Sequence, residues 1–208
     1  MRTYHQWLES EMDPKANATP VESMALTVQL LIAEGIRQLQ LWITVSMLVH
    51  IGNGDSYCAD NLITGPLGVN DSSLTASSYY DDGFCYPRLV RISQNIIPCW
   101  CPGVPDNSEY LQVEFQHISA VTALIIQGRG EESQFMKSLT MKTSLDGSNW
   151  ETVTDDTGNI KVYEANNNNA NLVNRAVNEK ILTKFIRIHP ETWNIWPAFS
   201  LEILGCPK

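Results

Sequence analysis

From residue 58 onward the sequence predicts an all-β domain whose strands form a sandwich or a barrel. Three observations predict it: short apolar or alternating runs, turn-forming residues between them, and no convincing helical period. Many short strands, spaced about ten residues apart, are typical of sandwiches and barrels. The chain has 208 residues, which is enough for one ordinary domain and an extension.

The individual strands are predicted from alternation and from apolar runs. In chain order they lie at residues 110–115, 121–127, 139–144, 185–189 and 199–204. The third ends at Asp146-Gly147, a dipeptide that strongly favours a turn. The asparagine-rich residues 166–171 predict a loop, because asparagine favours turns over sheet ladders.

The first 57 residues are predicted to be an extension outside the domain at 58–206. Residues 39–51 are mostly apolar but too short to cross a bilayer comfortably, and they suit the apolar core of a secretion signal. Two alternatives remain open. One is an uncleaved anchor that combines them with the apolar run 24–33, and the other is an amphipathic helix packed on the domain.

The charge of the chain excludes some partners. The formal net charge is −9, and the part from Cys58 onward has 11 basic and 17 acidic residues, a charge of −6. Such a surface repels nucleic-acid phosphate and anionic lipid headgroups, so we expect no nucleic-acid partner and disfavour a membrane surface. We find no nucleophile–base pair, phosphate loop or spaced metal ligands, which predicts a non-catalytic protein without a metal site.

All five cysteines lie at or after residue 58. Cys58 opens the predicted domain and Cys206 follows its last strand, so a bond between them would close a loop of nearly 150 residues. The chain-entropy model gives such a closure about 5 kcal/mol. With the glycosylation sequons at Asn17 and Asn70, the cysteines favour a secreted glycoprotein.

Nine short motifs follow one another in a recognisable order. They are residues 65–68 (GPLG), 74–78 (LTASS), 87–89 (PRL), 100–102 (WCP), 109–115 (EYLQVEF), 127–129 (QGR), 143–150 (TSLDGSNW), 185–190 (FIRIHP) and 201–206 (LEILGC). In this order the sequence resembles the discoidin family, the coagulation factor V/VIII C-type domains. It is most similar to the ligand-binding domain of the collagen-binding discoidin domain receptors. The resemblance implies an eight-stranded, galactose-binding-domain-like jelly-roll barrel whose ligand is held by loops, or spikes, at one end.

The cysteine pattern departs from these receptors. There the cysteine of the Trp-Cys-Pro motif pairs with one in the final strand, where this chain has Ala198. The resemblance therefore leaves Cys85 to pair with Cys99 or Cys101, since Cys99 and Cys101 are too near in sequence to pair with each other easily. The odd thiol is either a link in a disulfide-bonded homo-oligomer or a buried free thiol.

The resemblance places the first spike at residues 79–86, which contain four aromatics. Exposed aromatics there would offer large, stiff contact area to a ligand. Tyr80 matches a tryptophan of the receptors' first spike and is expected outside, whereas Tyr86 is expected inside. The predicted ligand-binding residues are Tyr79, Tyr80, Asp82, Phe84, Arg129, Glu132, Gln134 and Trp196.

Two of these residues carry open alternatives. Arg129 matches an arginine with which the receptors contact their ligand, but Glu131 and Glu132 follow it and predict an ion pair within the loop as the alternative. Gln134 stands where the receptors have an acidic contact residue. Trp196 would complete the rim or belong to the core.

The predicted function is that of an extracellular, secreted adhesion module. It would bind carbohydrate or a matrix protein, collagen among them, through the aromatic spike. The alternative is a peripheral module for membrane phospholipids, as in relatives that insert spike side chains into bilayers. No cofactor is predicted. Calcium occurs in some relatives and stays open, although no calcium-loop spacing is present.

Overall fold

The structure of the chain, a computed structural model, describes residues 58–93, 99–130 and 132–208, with the side chains of 178 and 179 left aside. The predicted extension at 1–57 lies outside the described residues. So do its apolar run 39–51, the three alternatives for that run and the sequon at Asn17.

The described residues are nearly all β, which confirms the predicted fold class. The eight strands are β1 (Asp60–Asn61), β2 (Leu74–Ala76), β3 (Leu111–Gln127), β4 (Phe135–Ser144), β5 (Glu151–Thr152), β6 (Tyr163–Glu164), β7 (Val173–Asn194) and β8 (Ser200–Pro207). Their order is β1-β8-β3-β7-β4-β5, with β2 on β3 and β6 on β4, and the strand pairs are antiparallel. Two 3-10 turns lie at Asp71–Ser73 and Pro87–Leu89. No helix in these ranges has the length and apolarity to cross a membrane.

The long strands β3 and β7 lie at the centre of the sheet: β3 pairs with β2, β7 and β8, and β7 also pairs with β4. The strands predicted at 110–115 and 121–127 are both parts of β3, whose pairing with β7 shifts register between Glu114 and Ser119. Residues 116–118 at this shift are exposed, so the apolar alternation breaks there although the strand continues. A register shift of this kind bends a strand, which lets β3 pair with β2 at one end and with β8 at the other.

The core fills the inside of the barrel with the alternate residues of β3, β4, β7 and β8. Trp100 and Phe199 are fully buried and meet edge to face, with ring centroids 5.2 Å apart. Their backbones are also hydrogen-bonded, from Trp100 N to Phe199 O and from Phe199 N to Trp100 O, both at 3.0 Å. This pair fixes the segment after residue 99 against the start of β8.

The two ends of the domain are fastened beside each other. Cys58 and Cys206 form the predicted disulfide, and β1 pairs with β8. The buried carboxylate of Glu202 accepts hydrogen bonds from the backbone N–H groups of Ile63, at 2.8 Å, and Thr64, at 3.1 Å. It also accepts one from the hydroxyl of Thr64 at 2.5 Å.

Replacing Glu202 with glutamine is expected to lower the free energy of unfolding by about 2 kcal/mol, because an amide nitrogen then faces donors that need an acceptor. Urea unfolding of the full chain at pH 7 measures the change. Glu164→Gln is the matched control, since Glu164 is exposed on β6 and its substitution should change stability by less than about 0.5 kcal/mol. Equal stability of the two variants would contradict this account of Glu202.

Candidate functional site

Four loops meet at one end of the barrel. Three of them connect strands: residues 128–134 join β3 to β4, residues 165–172 join β6 to β7, and residues 195–199 join β7 to β8. The fourth is the predicted first spike, residues 79–86, which we call the aromatic loop. The loops contact one another and form one surface: the Asn169 side chain donates to Gly130 O at 2.8 Å, the Arg129 guanidinium pairs with Asp82, and the ring of Tyr80 lies beside that of Trp196.

The base of the aromatic loop is held by hydrogen bonds to neighbouring segments. The buried carboxylate of Glu109 accepts from the hydroxyls of Ser77 and Ser78, the latter at 2.7 Å. The indole N–H of Trp100 donates to Ser78 O at 3.0 Å, and Tyr80 N donates to Cys101 O at 3.0 Å. The loop therefore leaves the barrel in a defined direction.

Aromatic side chains cover the outer surface of this loop. Tyr79, Tyr80 and Phe84 are 48–50% exposed, so Tyr80 lies outside as expected. Across from it stands Trp196, with ring centroids 5.8 Å apart. The indole N–H of Trp196 donates to Pro102 O at 2.9 Å, which fixes that ring at the edge of the site rather than in the main core.

The expectation that Tyr86 lies inside is wrong. Its ring is half-buried, 5.0 Å from the ring of Tyr79 and under the guanidinium of Arg88 at 4.3 Å. Its hydroxyl donates to Asp81, and this hydrogen bond raises the pKa of Tyr86. The reason is the extended backbone at Tyr86: neighbouring side chains point to opposite sides, and Cys85 takes the inward position.

Arg129 pairs with a residue of a different loop. Its guanidinium donates to the Asp82 carboxylate at 2.8 Å and, more weakly, to the Gln134 side-chain oxygen at 3.4 Å. The ion pair thus joins two loops. Among the described residues the partner is Asp82 and not Glu132, whereas Glu131, the other intraloop partner that the sequence left open, lies outside them. Glu132 is exposed, and its backbone N–H donates a hydrogen bond to Arg129 O at 3.2 Å, which forms a turn.

Opposing effects act on the Asp82 carboxyl. Burial raises its pKa, but the N–H of Phe84, at 2.8 Å, and the guanidinium of Arg129 together outweigh burial and hold the pKa below its ordinary value. Asp82 is therefore ionised at neutral pH, and the charge of Arg129 is neutralised within the protein.

A cavity of about 220 Å³ opens between these loops. It is lined by Tyr80, Cys101, Arg129, Gln134 and Trp196. Four of the eight predicted ligand-binding residues thus meet in it, while Asp82 supports one wall from behind. A larger cleft of about 300 Å³ lies elsewhere, between residues 153–163 and β7, but none of the predicted residues lines it.

The remaining predicted residues surround this cavity to different degrees. Tyr79 and Phe84 stand on the outer surface of the aromatic loop, and Glu132 lies at the exposed tip of the 128–134 turn. No sequence pattern pointed to Ile195, which is 66% exposed and directly precedes Trp196. Nothing local to this isoleucine indicates exposure, because the turn that exposes it depends on contacts with other loops.

Beneath the cavity lies a buried cluster of three cysteines and Ala198. Cys85 pairs with Cys101, which decides between the two partners left open by the sequence. Cys99 is the free thiol, with its sulfur 3.5 Å from that of Cys101, and burial raises its pKa to about 12. A fully buried thiol cannot reach a second copy without opening the loops, so its position favours the buried free thiol over a disulfide-linked homo-oligomer.

The three cysteine sulfurs also form the one group of three or more potential metal ligands within residues 58–93, 99–130 and 132–208. Two of them are engaged in the disulfide. Asp71 and Asp81 have separate partners: Asp71 pairs with Arg91 at 2.6 Å, and Asp81 accepts from Tyr86. The described side chains thus offer no shared set of carboxylates that would hold calcium.

An antiparallel β-barrel fold with an aromatic loop, a lined cavity and converging side chains at one end defines a class of protein: a β-barrel binding module. The model of the F5/8 type C domain matches residues 73–203. The chain therefore belongs to the F5/8 type C, or discoidin, family, as the motifs indicated, and domains of this type are binding modules.

Relatives and solved structures agree with this membership. Neuropilin-2 of Rattus norvegicus is 34% identical over 150 residues, 68% of this chain and 16% of that protein. Coagulation factor VIII of Mus musculus is 33% identical over 159 residues, 72% of this chain and 7% of that protein. The match thus spans less than a fifth of either relative.

Among solved structures, discoidin II from Dictyostelium discoideum superposes with a TM-score of 0.55 at 22% identity, over 65% of this chain and 55% of that one. An F5/8 type C domain from Bacteroides fragilis gives a TM-score of 0.52 at 19% identity, over 67% of this chain and 96% of that one. At these identities the likeness supports the fold.

Proposed function

We propose that the chain is an extracellular adhesion module that binds a matrix or cell-surface protein by taking one of its apolar side chains into the cavity beside the aromatic loop. One observation carries the proposal: aromatic side chains are exposed around a cavity in which the Arg129 guanidinium is already paired with the Asp82 carboxylate and the Trp196 indole N–H with a backbone carbonyl. The eight residues predicted for ligand binding are proposed to act through this arrangement.

The first step concerns the exposed rings. Tyr79, Tyr80 and Phe84 are each about half exposed within six residues of one loop. A cluster of exposed apolar side chains is typical of an interaction site, and Tyr and Trp are the residues that most often dominate binding energy. Because Glu109 and Trp100 hold the base of the loop, little conformational entropy is lost when a partner binds.

The second step separates protein from carbohydrate. A sugar needs several free, directed hydrogen-bonding groups to satisfy its hydroxyls. In this cavity the Arg129 guanidinium is engaged with Asp82 and Gln134, and the Trp196 indole N–H with Pro102 O. The Nε of Arg129 has no hydrogen-bond partner among the described atoms, but it is buried and so offers a sugar hydroxyl no accessible donor. An apolar side chain therefore suits such a cavity better than a sugar does.

The third step concerns phospholipid, the alternative function. An anionic headgroup needs free cations at the rim. Arg129 is neutralised by Asp82, and the exposed Asp81 and Glu132 add negative charge beside the aromatic side chains. This distribution supports a protein partner over an anionic membrane.

An extracellular location is supported by the two disulfides, which persist in oxidising compartments. Asn70 in its sequon is exposed before a 3-10 turn, and its side chain makes no capping hydrogen bond. We propose it as a glycosylation site. It lies outside the loops of the binding end, so a glycan there is compatible with binding.

The proposal is tested with N-acetylphenylalaninamide, an uncharged probe that presents one apolar side chain. Titrated into the full chain and followed by Trp fluorescence and NMR, it should bind with a Kd of about 1 mM, as expected for a ligand of this size. Tyr80→Ala should weaken binding about tenfold, because it removes one wall of the cavity. The control Leu182→Ala removes an equally exposed apolar side chain distant from the loops and should leave Kd unchanged.

Three parallel probes distinguish the alternatives. Methyl β-galactoside tests carbohydrate, phosphatidylserine vesicles test membrane binding, and an immobilised triple-helical collagen peptide tests one matrix protein. Stronger binding to the galactoside or the vesicles, lost in Tyr80→Ala, would replace the proposed protein partner with that ligand class. Binding to none of the four would overturn the proposed function.

A further inference from the structure

The loop at residues 195–199 contains a strained residue. Ile195 has φ of +58°, and it is the one non-glycine residue with positive φ in the part of the chain that the structure describes. This left-handed region is unfavourable for side chains with a Cβ, and most of all for a β-branched one. The backbone of Ile195 is thus held in a conformation that isoleucine itself disfavours.

The side chain of Ile195 gains nothing from this conformation in the protein alone. It is 66% exposed, the highest value among the exposed large apolar residues of the described ranges. Asparagine or glycine would adopt the same backbone with less strain and expose less apolar surface. Folding therefore gives no reason for isoleucine at this position.

Contacts on both sides hold the turn in place. Before it, the Asn194 side chain donates to Ser133 O at 2.7 Å. After it, Trp196 N donates to Asn194 O at 2.6 Å, and the Trp196 indole N–H reaches Pro102 O at 2.9 Å. The left-handed residue reverses the chain between these anchors, so that Trp196 lines the cavity while Ile195 remains in solvent beside it.

We propose that Ile195 is a further binding residue, which the chain retains in a strained turn because its side chain completes the apolar rim opposite the aromatic loop. The partner's apolar side chain enters beside Tyr80 and Trp196 and contacts Ile195 at the mouth of the cavity. This inference rests on the proposed function, and it adds a position at which stability is given up for binding. Strained residues of this kind are found at ligand sites, where the surrounding structure enforces them.

The test is Ile195→Asn in the full chain, because asparagine tolerates left-handed backbone and is polar. The folding equilibrium constant from urea unfolding should rise about tenfold, as the strain is relieved. The Kd for N-acetylphenylalaninamide should rise about threefold to fivefold, as apolar contact is lost. Ile195→Val keeps both the strain and the apolar contact and should resemble the wild type in both measurements.

Ile160→Asn is the matched control. Ile160 is 60% exposed, it pairs with Thr154 in an antiparallel bridge, and it does not have positive φ. The same substitution there should give no gain in stability and no change in Kd.

The outcomes separate the two proposals. If Ile195→Asn is no more stable than Ile160→Asn, the strain inference is overturned. If it is more stable but its Kd equals that of the wild type, the binding role of Ile195 is overturned while the proposed function stands. If the wild type itself does not bind the probe, the proposed function fails, and the binding role of Ile195 fails with it.

Discussion

Replacing Cys58 and Cys206 together with serine is expected to lower the free energy of unfolding by about 5 kcal/mol. The bond joins residues 148 apart and so closes a loop of nearly the whole domain. Without it, the unfolded chain regains the conformational entropy that closing this loop had removed. It also leaves β1, which is only two residues long, attached to β8 by few backbone hydrogen bonds. Many domains have a total stability of this size, so the variant should be close to unfolded at 37 °C.

The second disulfide supplies the comparison. Cys85 and Cys101 are 16 residues apart, and the same chain-entropy relation gives their bond about 3 kcal/mol. Urea unfolding of both double-serine variants, with Cys99 present in each, should therefore differ by about 2 kcal/mol. A larger loss from the Cys85–Cys101 pair than from the Cys58–Cys206 pair would show that loop length does not govern their contributions.

Replacing Arg129 with methionine is expected to lower the free energy of unfolding by about 3 kcal/mol, because the Asp82 carboxylate loses its counter-ion in a largely buried position. The two side chains are only 12% and 22% exposed, so water compensates for little of the loss. The aromatic loop should also become less fixed relative to the 128–134 turn. Binding of N-acetylphenylalaninamide should weaken as well, since Arg129 lines the cavity.

A double-mutant cycle measures this interaction. Asp82→Asn combined with Arg129→Met removes both charges, and the double variant should lose less stability than the sum of the two single variants. All four proteins are unfolded in urea at pH 7, where the depressed pKa of Asp82 in the wild type keeps its carboxyl ionised. Additive losses would show that the two charges do not stabilise each other.

The sequence predicted the fold class from local patterns. Alternation along residues 139–144 and the apolar run at 121–127 predicted parts of β4 and β3, because side-chain direction in a strand follows directly from position. The prediction was weaker at residues 116–118, where a register shift exposes three residues without ending the strand. A break in the pattern does not distinguish a bend from a loop.

For the candidate site, residue types indicated the surface but not its internal partners. The resemblance placed an exposed aromatic loop at residues 79–86, and the structure shows Tyr79, Tyr80 and Phe84 half exposed there. The sequence left both Cys99 and Cys101 open as partners of Cys85. The disulfide to Cys101 holds Cys85 inward, and its neighbour Tyr86 therefore points to the other side.

The sequence by itself determined the all-β class and the pairing of the first and last cysteines, since these follow from periodicity and from order along the chain, and its resemblance to the discoidin family placed the aromatic loop. Only the tertiary structure decided that Arg129 faces Asp82, that Cys99 remains a free buried thiol and that Ile195 occupies a left-handed turn. Each of these depends on loops that are distant in sequence and meet only when the strands assemble, where packing and electrostatics between loops outweigh local preference.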